Sequence, residues 1–290
     1  MGDIMIQQDP LKTTVKRQPV IVSDEQSLTN PVSQMATEPQ CRSDAFYYWC
    51  QETRLPHDPI FHRQLWEYAY ILQSLSETGM MSPGRRGLGF GVGKEPLVAV
   101  MAARGCAVVA TDLDSEEAAK QGWAGTGQYA ATLEALNDRD ICPRDRFAAL
   151  VKDRVADMNK IDPHLVGFNF VYSSCALEHV GLIELGLHFV KNSLKCLRPG
   201  SIAVHTTEYN VFSNEATIDH QQTVLLRRQD IDGLAADLAS QGHEIVLNYN
   251  AGSGPFARHI DVPPWCGVHL KVQLEQYVST SLALLIKKAL

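Results

Sequence analysis

The stretch Leu88-Gly89-Phe90-Gly91-Val92-Gly93, followed by Pro96–Ala103 (PLVAVMAA) and Cys106–Thr111 (CAVVAT) ending on Asp112, decides the fold. An apolar strand runs into a glycine loop, the loop opens a helix, and the helix returns to a second apolar strand closed by a carboxylate. Strand, helix and strand in that order pair in parallel, because an antiparallel return would need only a short turn. The pattern continues downstream. Arg154–Ala156, Phe168–Ser173 (FNFVYS), Ser201–Thr207 (SIAVHTT), Glu244–Asn250 and Tyr277–Lys287 read as strands, with helices at Leu182–Leu197 and Asp230–Gln241. This alternation predicts an α/β, doubly wound, mostly parallel sheet with helices on both faces.

Upstream, His62–Thr78 carries Leu65, Trp66, Ala69, Tyr70 and Leu72 at helical spacing, which predicts an amphipathic helix. The aromatic run Phe46-Tyr47-Tyr48-Trp49 reads as a packing anchor. Residues 1–40 are rich in Gln, Ser, Thr and Pro without a sustained period, so a flexible tail is expected there, with a single domain over 41–290. An apolar content of 45% over 290 residues is enough to bury a real core. A net charge of −7 argues against nucleic acid as the main partner, because phosphate neutralisation needs a basic surface. No stretch reaches the about 20 apolar residues of a membrane span. Asp3, Asp9, Lys12 and Lys16 interrupt every apolar core that a signal peptide would need. Seven cysteines with no CxxC pair match neither a disulfide framework nor a zinc site, and scattered thiols suit a reducing, cytoplasmic setting.

Three nucleotide-binding loops compete for Gly89–Gly93. A dinucleotide loop, GxGxxG, would need glycine at Lys94, and GxxxxGK[ST] would need Gly at Leu88 and Ser or Thr at Glu95. A GxGxG loop fits without substitution and lets the backbone approach a nucleoside closely. Asp112, at the tip of the second strand, can accept both hydrogen bonds of a ribose diol. Asp114 is better placed to cap the helix beginning near Ser115. Asp157-Met158 ends the third strand, where a carboxylate can accept from an adenine amino group while the thioether packs on the ring. All three positions lie at carboxyl ends of strands, where open α/β sheets bind ligands.

The glycine loop, Asp112, Asp157-Met158, the run Ser173-Ser174-Cys175-Ala176-Leu177-Glu178-His179 and Leu197-Arg198-Pro199-Gly200 together resemble the class I S-adenosylmethionine-dependent methyltransferases over roughly His62–Lys288. The resemblance implies a seven-stranded sheet whose last strand is antiparallel. It also implies a helical cover over 41–80, a cofactor half over 81–175, an acceptor half over 176–290, and S-adenosylmethionine as cofactor. Gly89, Phe90, Gly91 and Gly93 would then hold the methionine part, Asp112 and Leu113 the ribose, and Asp157, Met158 and Ser174 the adenine side and the strand end. Arg63 would meet the cofactor carboxylate and Trp66 would cover it. The sequence departs from the family at Gly87, where an acid usually stands. That leaves Glu95, Glu178 or backbone carbonyls for the cofactor's amino group.

Methyl transfer from a sulfonium is an in-line displacement, so the protein's main task is to hold the acceptor atom behind the methyl group. A hydroxyl acceptor also benefits from a general base. His179 and Glu208, just past the fourth and fifth strands, are the candidates, although a helix-start histidine and a solvated acid would read the same. His205, His220, Arg227, Arg258 and Trp265, on or beside the long connections 214–228 and 251–270, are the candidate acceptor-binding residues. Their mix of charge and imidazole predicts a polar small molecule or glycan and O-methylation. N-methylation, or a cofactor-binding regulator without catalysis, are the competing readings. No ligand spacing supports a metal, and the oligomeric state is open.

Overall fold

In the computed structural model every strand expected from the sequence is present, and the sheet is wider than expected. The structure describes residues 18–56, 61–120, 122, 125, 129–130, 132–220 and 223–290. The chain begins with strands β1 (Val20–Val22) and β2 (Ser33–Met35) and helices α1 (Glu38–Cys41), α2 (Asp44–Glu52) and α3 (Arg63–Glu77). Next come β3 (Arg86–Phe90), α4 (Leu97–Ala103), β4 (Ala107–Asp112), α5 (Ser115–Lys120), α6 (Arg144–Leu150) and β5 (Val151–Val155). They are followed by β6 (Phe168–Ser173), α7 (Ile183–Ser193), β7 (Leu197–Asn210) and the short pair β8 (Asp219–His220) and β9 (Thr223–Val224). The chain closes with α8 (Arg228–Ser240), β10 (Glu244–Asn248), β11 (Lys271–Leu274) and β12 (Tyr277–Lys287).

The main sheet runs β1-β10-β2-β12-β7-β6-β3-β4-β5, with β11 paired to β12, which makes ten strands among the described residues rather than seven. Strands β5, β4, β3, β6 and β7 are parallel, and β12 is antiparallel to β7. The three extra strands are β1, β2 and β11. Side chains alternate across β6 as its pleat requires. Phe170 and Tyr172 pack with Trp49, Trp66 and Tyr70 on one face, while Val171 packs with Phe90, Phe189 and Leu238 on the other.

The expectation of a flexible tail over residues 1–40 is corrected for the part described. Strands β10 and β12 pair only at Glu244↔Lys287 and Ile245↔Ile286 before they diverge. β2 fills the gap: Gln34 pairs with Asn248 on one side and Ala283 on the other, and Met35 with Leu282. Gln26, Gln34 and Gln40 are buried, and their amides bond one another and nearby main-chain carbonyls. The Gln40 amide nitrogen lies within 3.1 Å of Gln26 Oε1, 2.9 Å of the Met35 carbonyl and 2.8 Å of Thr37 Oγ1. Its carbonyl oxygen accepts from Trp66 Nε1 at 2.7 Å and Gln34 Nε2 at 3.1 Å. Residues 1–17 of that expectation lie outside the described residues.

Candidate active site

At the carboxyl edge of β3, β4 and β6 a cavity of about 410 Å³ is lined by the loop after β3 and the residues that follow β4, β5 and β6. Gly91 and Gly93 adopt φ of +58° and +46°, the left-handed region open to glycine at no steric cost. A Cβ on Gly91 would stand 2.9 Å from that of Ala176 and 3.6 Å from the Met158 sulfur, so glycine keeps this wall open. Asp112 ties the loop to β4: its Oδ2 accepts from Gly93 N at 3.0 Å and its Oδ1 from Leu113 N at 2.8 Å. Burial raises the Asp112 carboxyl and these two amides oppose the rise. Asp114 caps α5 as expected, accepting from Glu116 N and Glu117 N at 2.9 Å each. Asp157 accepts from Asn159 N at 2.8 Å and closes the turn that carries Met158 to the cavity. Ser174, Cys175 and His179 line the cavity past β6.

Other expected residues are placed elsewhere. Gly89 and Phe90 belong to β3 rather than to the loop. A Cβ on Gly89 would lie 2.7 Å from the Tyr172 ring, and Phe90 is buried edge-on against Phe189 at 5.2 Å. Trp66 does not cover the cavity, because it is fully buried with its indole N–H on Gln40. His205 is sealed inside, bonded to Ser173 Oγ at 2.8 Å and Ser193 Oγ at 3.0 Å, and burial pushes it down to about 3. Arg227 caps α8 through Asp230, with Nε at 2.8 Å from Oδ2 and Nη2 at 3.0 Å from Oδ1. His220 is exposed, 3.5 Å from Glu275, and Trp265 is half exposed with its N–H on the Gln273 carbonyl at 3.1 Å. None of these lines the cavity.

Arg63 and Glu208 pair with each other instead. Glu208 also accepts from Ser279 Oγ and is 4% exposed, which leaves it no route to a substrate proton. Arg63 Nη1 lies 3.6 Å from Glu67 Oε1 and 3.8 Å from Cys175 Sγ. Cys175 Sγ and oxygens of Glu178 and Glu208 lie within 4.8 Å of one another, and the Arg63 guanidinium supplies the positive charge beside them. Glu67 accepts from Ser281 Oγ and from Thr206 Oγ1 at 2.8 Å, whereas neither oxygen of buried Glu178 has a hydrogen-bond partner among the described residues.

Burial pushes both Glu67 and Glu178 up to about 7 from 4.5. The folded chain therefore keeps protons that the unfolded chain releases. This contribution is full below about pH 4.5 and is lost as pH rises through about 7. The melting temperature should fall between pH 5 and 8, and Glu178→Gln should recover on the order of 1–2 kcal/mol at the upper end. A variant that declines as steeply as the parent would refute this.

Glu95 lines the cavity while 8% exposed, its Oε2 without a hydrogen-bond partner among the described residues and its carboxyl raised well above the usual range by burial. Gly87, the departure from the family pattern, has a packing cause. Opposite Phe170 in the sheet, its Cβ would stand 2.2 Å from that ring. Sequence reading missed Gln64, Tyr68, Lys94, Tyr129, Asp138 and Arg139 in the cavity wall. Gln64 and Tyr68 stand four apart on α3, a spacing that marks a shared face. Asp138 and Arg139 follow a short 3₁₀ turn and carry no local signal.

No protein-family model and no curated protein matches the sequence. Solved structures do align with it. A S-adenosylmethionine-dependent methyltransferase from Clostridium acetobutylicum is 11% identical, with 84% of this chain and 97% of that one covered and a TM-score of 0.45. The CcbJ methyltransferase from Streptomyces caelestis is 12% identical, covering 74% and 94%, with a TM-score of 0.44. Haemonchus contortus phosphoethanolamine N-methyltransferase 2, solved with S-adenosyl-L-methionine, is 19% identical over 57% of this chain and has a TM-score of 0.39; the match spans only 35% of that enzyme's length. Among the described residues no helix is long and apolar enough to cross a membrane. With parallel β5-β4-β3-β6-β7, an antiparallel β12 beside β7, and the glycine loop after β3, the chain has the class I methyltransferase fold.

Proposed function

We propose that this chain is an S-adenosylmethionine-dependent methyltransferase acting at oxygen on a polar small molecule or glycan. The observation that carries the reading is the cavity itself, where Gly91, Gly93, Asp112 and Asp157-Met158 converge from three separate loops. When bound, the cofactor supplies an activated methyl group. Each Asp112 oxygen accepts one backbone N–H and keeps a lone pair for the ribose diol. Met158 offers a soft apolar contact to the adenine ring. Glu95, with its unpartnered buried oxygen, takes the ammonium that the family's usual acid would meet. His179 holds the acceptor's proton, since Glu208 is locked by Arg63. The packing cause of Gly87 removes the main argument for a non-catalytic regulator.

Asp112→Ala should weaken S-adenosylhomocysteine binding by roughly 10–150-fold, from loss of a charged acceptor worth about 1.5–3 kcal/mol. Calorimetry showing parental affinity in the variant would refute the assignment. Incubating protein, donor and extracted metabolites, then searching by mass spectrometry for a gain of one CH2, tests the activity. A product methylated on nitrogen would replace the hydroxyl reading by the amine one.

A further inference from the structure

A second cavity, of about 510 Å³, opens at the ends of β2, β7 and β10 and shares no lining residue with the first among the described residues. Its volume lies in the range of small-molecule sites, about 300–1,000 Å³. Met35, Tyr209, Tyr249 and Val278 give it an apolar floor, on which the Tyr209 and Tyr249 rings stack at 6.2 Å. Phe212 and Ile260 stand exposed at its rim.

Its charge is one-sided. Among the described residues, Arg228, Arg258 and Lys271 line the cavity and no carboxylate does. Arg228 is held in place: its guanidinium lies 4.6 Å over the Tyr249 ring and its Nε 3.4 Å from Asp232 Oδ2. The Tyr249 hydroxyl donates to the other Asp232 oxygen at 2.8 Å, which fixes ring and cation together. Lys271 donates to the Ala257 carbonyl and has no carboxylate partner among the described residues, and burial lowers its pKa. Arg258 makes no hydrogen bond or ion pair among the described residues. In a chain of net charge −7, cations left without counter-ions around an apolar recess concentrate a positive potential there.

We propose that this second cavity binds a soluble amphipathic anion: a carboxylate, sulfonate or phosphate carried on an apolar or aromatic body. The body lies on the tyrosine floor, and the head meets Arg258 and Lys271, whose charges have no carboxylate partner among the described residues. A neutral ligand of the same shape would leave those charges unpaired. A recess of this volume takes a single small molecule.

The probe is anilinonaphthalene sulfonate, titrated by fluorescence into the native full chain with and without saturating S-adenosylhomocysteine. Binding should be the same in both conditions. Arg258→Glu, which removes no hydrogen bond or ion pair among the described residues, should weaken it roughly 10-fold or more, and Lys271→Met should weaken it independently. Decanoate should displace the dye and decanol should not. Parental dye affinity in Arg258→Glu with unchanged near-ultraviolet circular dichroism overturns the proposal. So does displacement by S-adenosylhomocysteine, or equal displacement by decanol. Binding to phosphatidylglycerol vesicles that depends on Arg258, in a protein that ignores the dye, would replace it with a membrane contact. The dye arms are readable whether or not the first cavity takes the cofactor, so the two proposals fail separately.

Discussion

Gln40→Leu should destabilise the fold by about 3 kcal/mol. The side chain is 1% exposed, and its one carbonyl oxygen serves two buried donors, Trp66 Nε1 and Gln34 Nε2. Leucine has a similar volume, so the loss comes from stranded donors rather than from a cavity. A buried donor left without a partner costs about 1–3 kcal/mol; this substitution strands Trp66 Nε1 and takes one of two acceptors from Gln34 Nε2, which keeps the Ser27 carbonyl. Gln26 and the Met35 carbonyl lose a partner as well. Urea unfolding should show a lower midpoint with an unchanged slope, the signature of lost stability without a changed denatured state. A loss below about 1 kcal/mol would mean that the glutamine cluster is not a structural hub.

His179→Ala should lower kcat by about 10²–10⁴-fold and leave cofactor affinity near the parental value. An alcohol gives up its proton reluctantly at neutral pH, and His179 is the histidine of the described residues that lines the cavity. The rate of the parent should climb with pH through one apparent pKa, and that step should vanish in the variant. A variant that retains near-parental kcat would mean that transfer proceeds by positioning alone. One that loses cofactor binding would make His179 part of the cavity wall.

The convergence of the glycine loop, Asp112 and Asp157-Met158 on one cavity was legible because its signals are local. Strand, loop and helix follow in sequence, and glycines with a carboxylate at the next strand end need no distant partner to be read. What failed to read depends on distant partners. Arg63 and Glu208 suit ligand-facing roles until the fold brings them together and they neutralise each other. His205 was expected to face an acceptor, but strand alternation turns it inward, between Ser173 and Ser193. Trp66 sits on the core side of α3, while its neighbours Gln64 and Tyr68 reach the cavity. The polar composition of residues 1–40 points to a flexible tail, yet the described part carries two strands of the sheet. Amides that bond one another and the main chain can be buried, and composition cannot reveal that pairing.

The placement of β2 also constrains when the molecule can be completed. Ser33 Oγ accepts from the amide of Leu285 at 2.9 Å, across 252 residues. A chain emerging from the ribosome therefore presents this early segment long before β10 and β12 exist to receive it. Contacts of such long sequence separation form late, because the loop-closure entropy must be met first. A waiting apolar strand would be an aggregation hazard over that interval. The Thr-Asn-Pro-Val-Ser-Gln run at 29–34, polar and interrupted by proline, is poorly suited to pairing with a stranger. The composition that made the segment look disordered thus suits it to remain solvated until the last strands are made.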